Sequence, residues 1–172
     1  MIEWYKKVVF ENYANFSGRA RRSEYWYFIL ANVIIGTILS VLDNVLGFKL
    51  GSSNSGVLGS LYNLAVFVPG LAVSVRRLHD IGKSGKLLLL FYGIIFISVI
   101  VMVVSGFSVF MSGNFSMSSL GVAFFAPLLV VLAMSIWMLV LYCTEGDQGP
   151  NKYGSDPKND AAEINEIGTS QL

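Results

Sequence analysis

The only histidine of this 172-residue chain, His79, stands beside Asp80 in the stretch VRRLHDIGKSGK (75–86), which also carries Arg76, Arg77, Lys83 and Lys86. An imidazole next to a carboxylate, with arginines to hold an anionic substrate such as a lipid phosphate, is the equipment of general acid–base chemistry. Two other stretches hold the same residue types: FSGRARRSEYWYF (16–28), with Arg19, Arg21, Arg22 and Glu24, and EGDQGPNKYGSDP (145–157), with Glu145, Asp147, Asn151, Tyr153 and Asp156. Catalysis is disfavoured by geometry and composition. Neighbouring residues on a helix point about 100° apart, so His79 and Asp80 do not form a dyad with each other. No serine or cysteine is marked as a nucleophile, and one histidine with one cysteine, Cys143, does not build a typical metal centre. No catalytic residue, metal ligand or cofactor is therefore assigned. The same residues fit better as a network in which Arg19, Arg21, Arg22, Arg76 and Arg77 share Glu24, Asp80, Glu145, Asp147 and Asp156. His79, Asn151 and Tyr153 complete it as hydrogen-bonding groups, with the individual pairings open.

The elements that must position these clusters are apolar. Hydrophobic residues make up 54% of the chain and charged residues 13%, with a mean hydropathy of +0.62, outside the balance of soluble domains. A hydrocarbon layer about 30 Å thick takes roughly 20 apolar residues as helix. Four runs of about that length occur, at residues 25–46, 57–75, 87–104 and 120–143, and only Asp43 intrudes, near one end. A soluble protein of this size has too little polar surface to wrap four such helices. The first run starts too late and runs too long for a cleavable signal sequence, so it is expected to stay. A single cysteine excludes an internal disulfide.

The basic residues orient the chain. Five Lys or Arg precede residue 25, four lie between 76 and 86, two follow Cys143, and the other connections hold only Lys49. Such a bias places both termini and the 76–86 loop on the cytoplasmic side, with all three polar clusters on one face. Arg76, Arg77 and His79 suit the negative end of the second span. Arg19, Arg21 and Arg22, just before the first span, and Glu145 and Asp147, just after the fourth, stand at the ends where the helix field opposes them. Partners of opposite sign must compensate, either one another or lipid phosphate.

Before the first span, Ile2, Trp4, Tyr5, Val8, Val9, Tyr13 and Phe16 fall on one helical arc, and Glu3, Lys6, Lys7 and Glu11 on the other; Phe10 and Asn12 break the pattern. This predicts an aromatic amphipathic helix lying in the headgroup layer, or else one packed on the protein itself. Gly82 is a candidate left-handed helix stop, and Gly146, Gly149, Pro150, Gly154 and Pro157 suit a compact loop. The outward connections are Gly/Ser-rich turns, the N-x-S triplets at Asn15 and Asn114 read as chance matches, and the tail beyond Pro157 is expected to be mobile. The expected architecture is all-α and polytopic. An interfacial helix and arginine motif (1–24) precede a four-helix transmembrane domain (25–143), and a loop motif with a tail follows (144–172).

At these residues the chain resembles the bacterial inner-membrane family known as domain of unknown function 805. The likeness rests on Phe16, Gly18, Arg19, Arg21, Arg22, Ser23, Glu24, Tyr25 and Trp26; on Pro69, Arg76, Arg77, Leu78, His79, Asp80, Gly82, Ser84 and Gly85; and on Gly146, Gly149, Asn151, Tyr153, Gly154, Asp156 and Pro157. It covers residues 1–157. The family commonly continues the second motif with tryptophan after Ser-Gly, where this chain has Lys86 and Leu87. The resemblance implies a multi-pass protein of the bacterial inner (plasma) membrane and brings no activity, substrate or cofactor.

The functional expectation is a binding or scaffold module whose cytoplasmic network engages anionic lipid headgroups, or a membrane-protein partner or second copy of the chain. Nucleic acid is a poor partner, because acids nearly equal the arginines in number. The alternative is a small-solute transporter or channel subunit, for which Asn32, Asn63, Pro69 and Pro127 are the mid-span candidates. A lipid-modifying enzyme ranks below both.

Overall fold

A computed structural model of the chain describes residues 1–49, 56–113, 116, 118 and 121–158. Of the tail beyond Pro157, expected to be mobile, only Lys158 is described, and it is held by hydrogen bonds to Asp156 and Glu145; Asn114 and parts of both Gly/Ser-rich connections lie outside the described residues. The chain is helical, with two isolated bridges and no strand among the described residues. Four helices are long and apolar enough to cross a membrane. By contact the chain forms two units, Met1–Lys83 with Glu145–Leu172, and Ser84–Thr144.

In the first unit, α1 (Ile2–Lys6) runs into a π-helical turn (Lys7–Glu11), and the spans α2 (Arg22–Leu46) and α3 (Val57–Asp80) form a hairpin. Glu24, Phe28 and Ala31 on α2 recur at helical spacing and are buried, as are Pro69, Ala72, Val73, Arg76, Arg77 and Asp80 on α3. At the far end of the hairpin, Gly47 (φ 71°) stops α2. Asp43 then accepts from the amides of Leu58 (3.0 Å) and Gly59 (2.9 Å). The charge that intrudes into the first apolar run thus caps the next helix from across the turn, in place of the N-cap residue Gly56, which has no side chain.

The N-terminal amphipathic helix lies against both spans. Val8 is buried, the Tyr5 ring stacks on Phe28, and the Tyr5 hydroxyl meets that of Tyr62 at 3.2 Å. Tyr62 donates to Asn32 (2.6 Å), and Asn32 donates to the Phe28 carbonyl (2.8 Å). Ile2 and Phe10 stay exposed, apolar surface suited to lipid. The helix ends at Glu11, short of the Phe16 reached by the sequence periodicity. Asn12 turns back to donate to the Lys7 carbonyl, and Asn15 accepts from the Ser17 amide, so asparagine side chains outcompete the helical ladder.

Pro69 explains a further tie. A proline inside a helix has no N–H for the carbonyl four residues earlier, here that of Ala65, and an unsatisfied carbonyl in hydrocarbon is costly. The Tyr13 hydroxyl donates to this carbonyl at 2.8 Å.

In the second unit, α4 (Lys86–Ser112) packs with α5 (Ala126–Cys143), which a π-helical turn (Gly121–Phe125) precedes. Helix α4 continues eight residues beyond the expected end of its apolar run, because Ser105, Ser108 and Ser112 return their hydroxyls to carbonyls of the preceding turn and so need no solvent. Ser105 also reaches the Ala123 carbonyl at 3.2 Å.

The Tyr13–Ala65 tie predicts a specific coupling. Tyr13→Phe should lower stability by about 1–3 kcal/mol, the cost of leaving a carbonyl on a lipid-facing span without a donor. In a Pro69→Ala background the restored amide takes over the Ala65 carbonyl, and the cost of Tyr13→Phe should largely vanish. Equilibrium unfolding of the four variants in detergent measures this, and an equal cost in both backgrounds would refute the tie.

Candidate functional site

The three polar stretches converge at the end of the first unit where α2 begins and α3 ends. Helix α3 stops in a turn in which the Lys83 amide donates to Leu78 (2.9 Å) and that of Gly82 to His79 (3.1 Å), with Gly82 at φ 67°. Asp80, the last helical residue, is 5% exposed and sits at the helix end whose field opposes an anion. Two cations offset this. Arg77, one turn back, binds Oδ2, and Arg19 Nε binds Oδ1 at 3.0 Å. The other Arg19 nitrogens donate to the carbonyls of Gly149 (2.6 Å) and Asp147. The Asp147 amide closes the circuit on the Asp80 carbonyl at 2.8 Å.

A second buried pair lies beside the first. Glu24, 1% exposed, accepts from Arg76 Nη1 at 2.6 Å, and Lys7 Nζ stands 3.6 Å from its other oxygen. The Arg76 carbonyl accepts from the Ala20 amide (3.0 Å), docking the arginine motif onto α3. Arg76 Nε and Nη2 are buried with no hydrogen-bond partner among the described residues, so this pair is held less completely than that of Asp80.

His79 and Asp80 face different groups. Ring Nδ1 of His79 lies 3.1 Å from the Gly18 carbonyl, which can only accept, so Nδ1 carries the proton. Tyr153 stacks on the imidazole at 3.8 Å with the planes 5° apart, and Asn151 donates to the His79 carbonyl at 3.0 Å. The 145–158 segment therefore clasps the end of α3 from two sides. Asp147 and Asp156 depart from the shared arginine–carboxylate pattern. Asp147 accepts from Asn151, and Asp156 accepts from the amides of Gly149 (3.0 Å) and Lys158 (2.9 Å). Short carboxylates in a Gly/Pro-rich loop bond the neighbouring amides directly, and Arg19 acts on Asp156 through its charge. The Lys158 amide, then that of Gly149, holds the Asp156 carboxyl below its ordinary range.

The remaining cations are less committed. Arg21 donates to the Pro157 carbonyl, while Arg22 (3.1 Å) and Lys158 (2.9 Å) both reach Glu145 in exposed pairs. Beside them opens a pocket of about 410 Å³ lined by Arg19, Arg21, Arg22, Ser23, Gln148 and Lys158 together with the acids Asp80, Asp147 and Asp156. No cluster of three or more His, Cys, Asp or Glu able to hold a metal occurs among the described residues.

Sequence reasoning missed Lys158 and the true reason for Gly146. A Cβ at Gly146 would overlap the Asp80 carboxylate, which two arginines hold in place. Gly146→Ala should destabilise the protein by about 1–3 kcal/mol, the range for overpacking. It should also expose residues 145–158 to protease. Gly36→Ala, where a Cβ meets nothing, serves as the neutral control. Equal behaviour of the two variants in unfolding and proteolysis would contradict the packing.

Comparison with known proteins agrees with this architecture. The model of the family described as "Protein of unknown function (DUF805)" matches residues 13–155. The chain is similar to the inner membrane protein YhaI of Escherichia coli (strain K12), 38% identical over 157 residues that cover 91% of this chain and 97% of that protein. It is also similar to the inner membrane protein YhaH of the same strain, 34% identical over 157 residues, 91% of this chain and 98% of that one. No solved structure matches. With four apolar helices and these relatives, the chain is an integral membrane protein and belongs to the DUF805 family.

Proposed function

We propose that the protein is a binding module of the cytoplasmic membrane face, taking the phosphate of an anionic lipid headgroup in the pocket beside Arg21, Arg22 and Lys158. The observation that carries this reading is a division among the cations. Arg76 and Arg77 are buried, paired with Glu24 and Asp80 and absent from the pocket lining, and Arg19, which does line it, spends its donors on Asp80 and the carbonyls of Gly149 and Asp147. Arg21, Arg22 and Lys158 line an open pocket together with Ser23 and Gln148, which add hydrogen-bonding groups. Guanidinium groups suit the two oxygens of a phosphodiester. The distribution of Lys and Arg among the connections supports the cytoplasmic orientation in this reading. Tyr5 of α1 and Tyr62 and Asn32 of the α2–α3 hairpin are engaged with one another and the backbone, which favours a structural role for these three over a solute path.

Native mass spectrometry of protein released from bilayers of mixed phosphatidylglycerol and phosphatidylcholine provides the test. Wild type should retain phosphatidylglycerol selectively, and the combined Arg21→Gln, Lys158→Gln variant should lose about tenfold in retention, as for two lost charge-assisted contacts. Headgroup-independent retention, or an unchanged double variant, would contradict the reading, as would a co-purifying protein seated on the same residues.

A further inference from the structure

The exposed Glu145 bridge has no place in the buried network. Its Oε1 is held between Arg22 Nη2 at 3.1 Å and Lys158 Nζ at 2.9 Å, with the three side chains 57%, 45% and 57% exposed in that order. Arg22 and Lys158 line the pocket, whereas Glu145 does not. A carboxylate oxygen between a guanidinium and an ammonium occupies the position a phosphate oxygen would take. We propose that Glu145 is a built-in competitor for the anionic ligand: it occupies Arg22 and Lys158, which line the pocket, and a lipid phosphate binds by displacing it and taking over both cations. This inference rests on the lipid-binding reading above and adds its regulation.

The chemistry favours exchange. Exposed ion pairs are weak and easily broken, so moving Arg22 and Lys158 from one anion to another costs little. A phosphodiester offers two anionic oxygens that suit a guanidinium fork. The hydrogen bond from Lys158, its charge and that of Arg22 hold the Glu145 carboxyl below its ordinary range, so it stays an anion and an effective competitor at neutral pH. Glu145 is also joined directly to Gly146, which packs on Asp80, so the competitor is anchored to the rigid part of the site.

The test is titration of the full-length protein in neutral detergent with dioctanoyl phosphatidylglycerol, dioctanoyl phosphatidylcholine or inorganic phosphate. Wild type, Glu145→Gln and Glu11→Gln are compared; Glu11 is an exposed acid outside the pocket. Removing the competitor should tighten phosphatidylglycerol binding by up to about fivefold, the gain from releasing a weak exposed pair. High salt should erase the gain. Glu11→Gln should change little, which separates displacement from a general rise in positive charge. Saturation by inorganic phosphate as tight as by the lipid would overturn the lipid assignment. Selective binding to wild type with equal or weaker binding to Glu145→Gln overturns the competitor alone, whereas no selective binding by any variant overturns the lipid-binding reading beneath it.

Discussion

A single buried carboxylate, that of Asp80, sets the terms for the polar end of this membrane protein. Ionised carboxylates are expensive to bury, and removing one member of a buried pair typically costs about 3–5 kcal/mol. Asp80 also sits at the unfavourable end of a long helix. It is tolerable because Arg77 comes from its own helix turn and Arg19 from 61 residues earlier in the chain. Arg19 is in turn completed by carbonyls 128 and 130 residues later. Three separated stretches are thus assembled around one charge, and the assembly is satisfied only when all three are present.

From this constraint follow the positions that sequence composition leaves arbitrary. Gly82 adopts a left-handed turn where α3 ends, and a Cβ there would crowd the Asp147 carboxylate. Gly146 must lack a side chain because the carboxylate lies against it. His79, next to Asp80 but turned away from it, becomes a surface for Tyr153 and a donor to Gly18, so histidine here serves shape and hydrogen bonding. Charges outside this buried set, on Arg22, Glu145 and Lys158, stay exposed, which is why the proposed binding is assigned to that place.

Much of this was legible in the sequence, for physical reasons that also mark where legibility ends. Four spans follow from uninterrupted apolar length, which needs no tertiary information. That Arg19 and Glu145 need partners follows from charges standing at unfavourable helix ends. The partners themselves do not follow, because side chains a hundred residues apart have no shared periodicity; hence Asp147 and Asp156 bind loop amides and asparagine where arginine was expected. The role of Asp43 was hidden because its helix cap is supplied from the previous helix, not from the residue before α3. Tyr13 read as one more aromatic of an amphipathic arc, although the proline four residues after Ala65 announces a carbonyl in need of a donor. The early end of the N-terminal helix was signalled by Asn12, which breaks the apolar pattern, and its side chain supplies the stop.

The claim that the Asp80 carboxylate unites the three stretches is tested most directly by a double-mutant cycle between Arg19→Gln and Asp80→Asn, read by equilibrium unfolding in mixed detergent micelles. Residues sharing one buried charge should couple by about 1–3 kcal/mol, with the double variant more stable than the sum of the single losses allows. Losses that add to within about 0.5 kcal/mol would mean the two side chains act independently, contradicting the account.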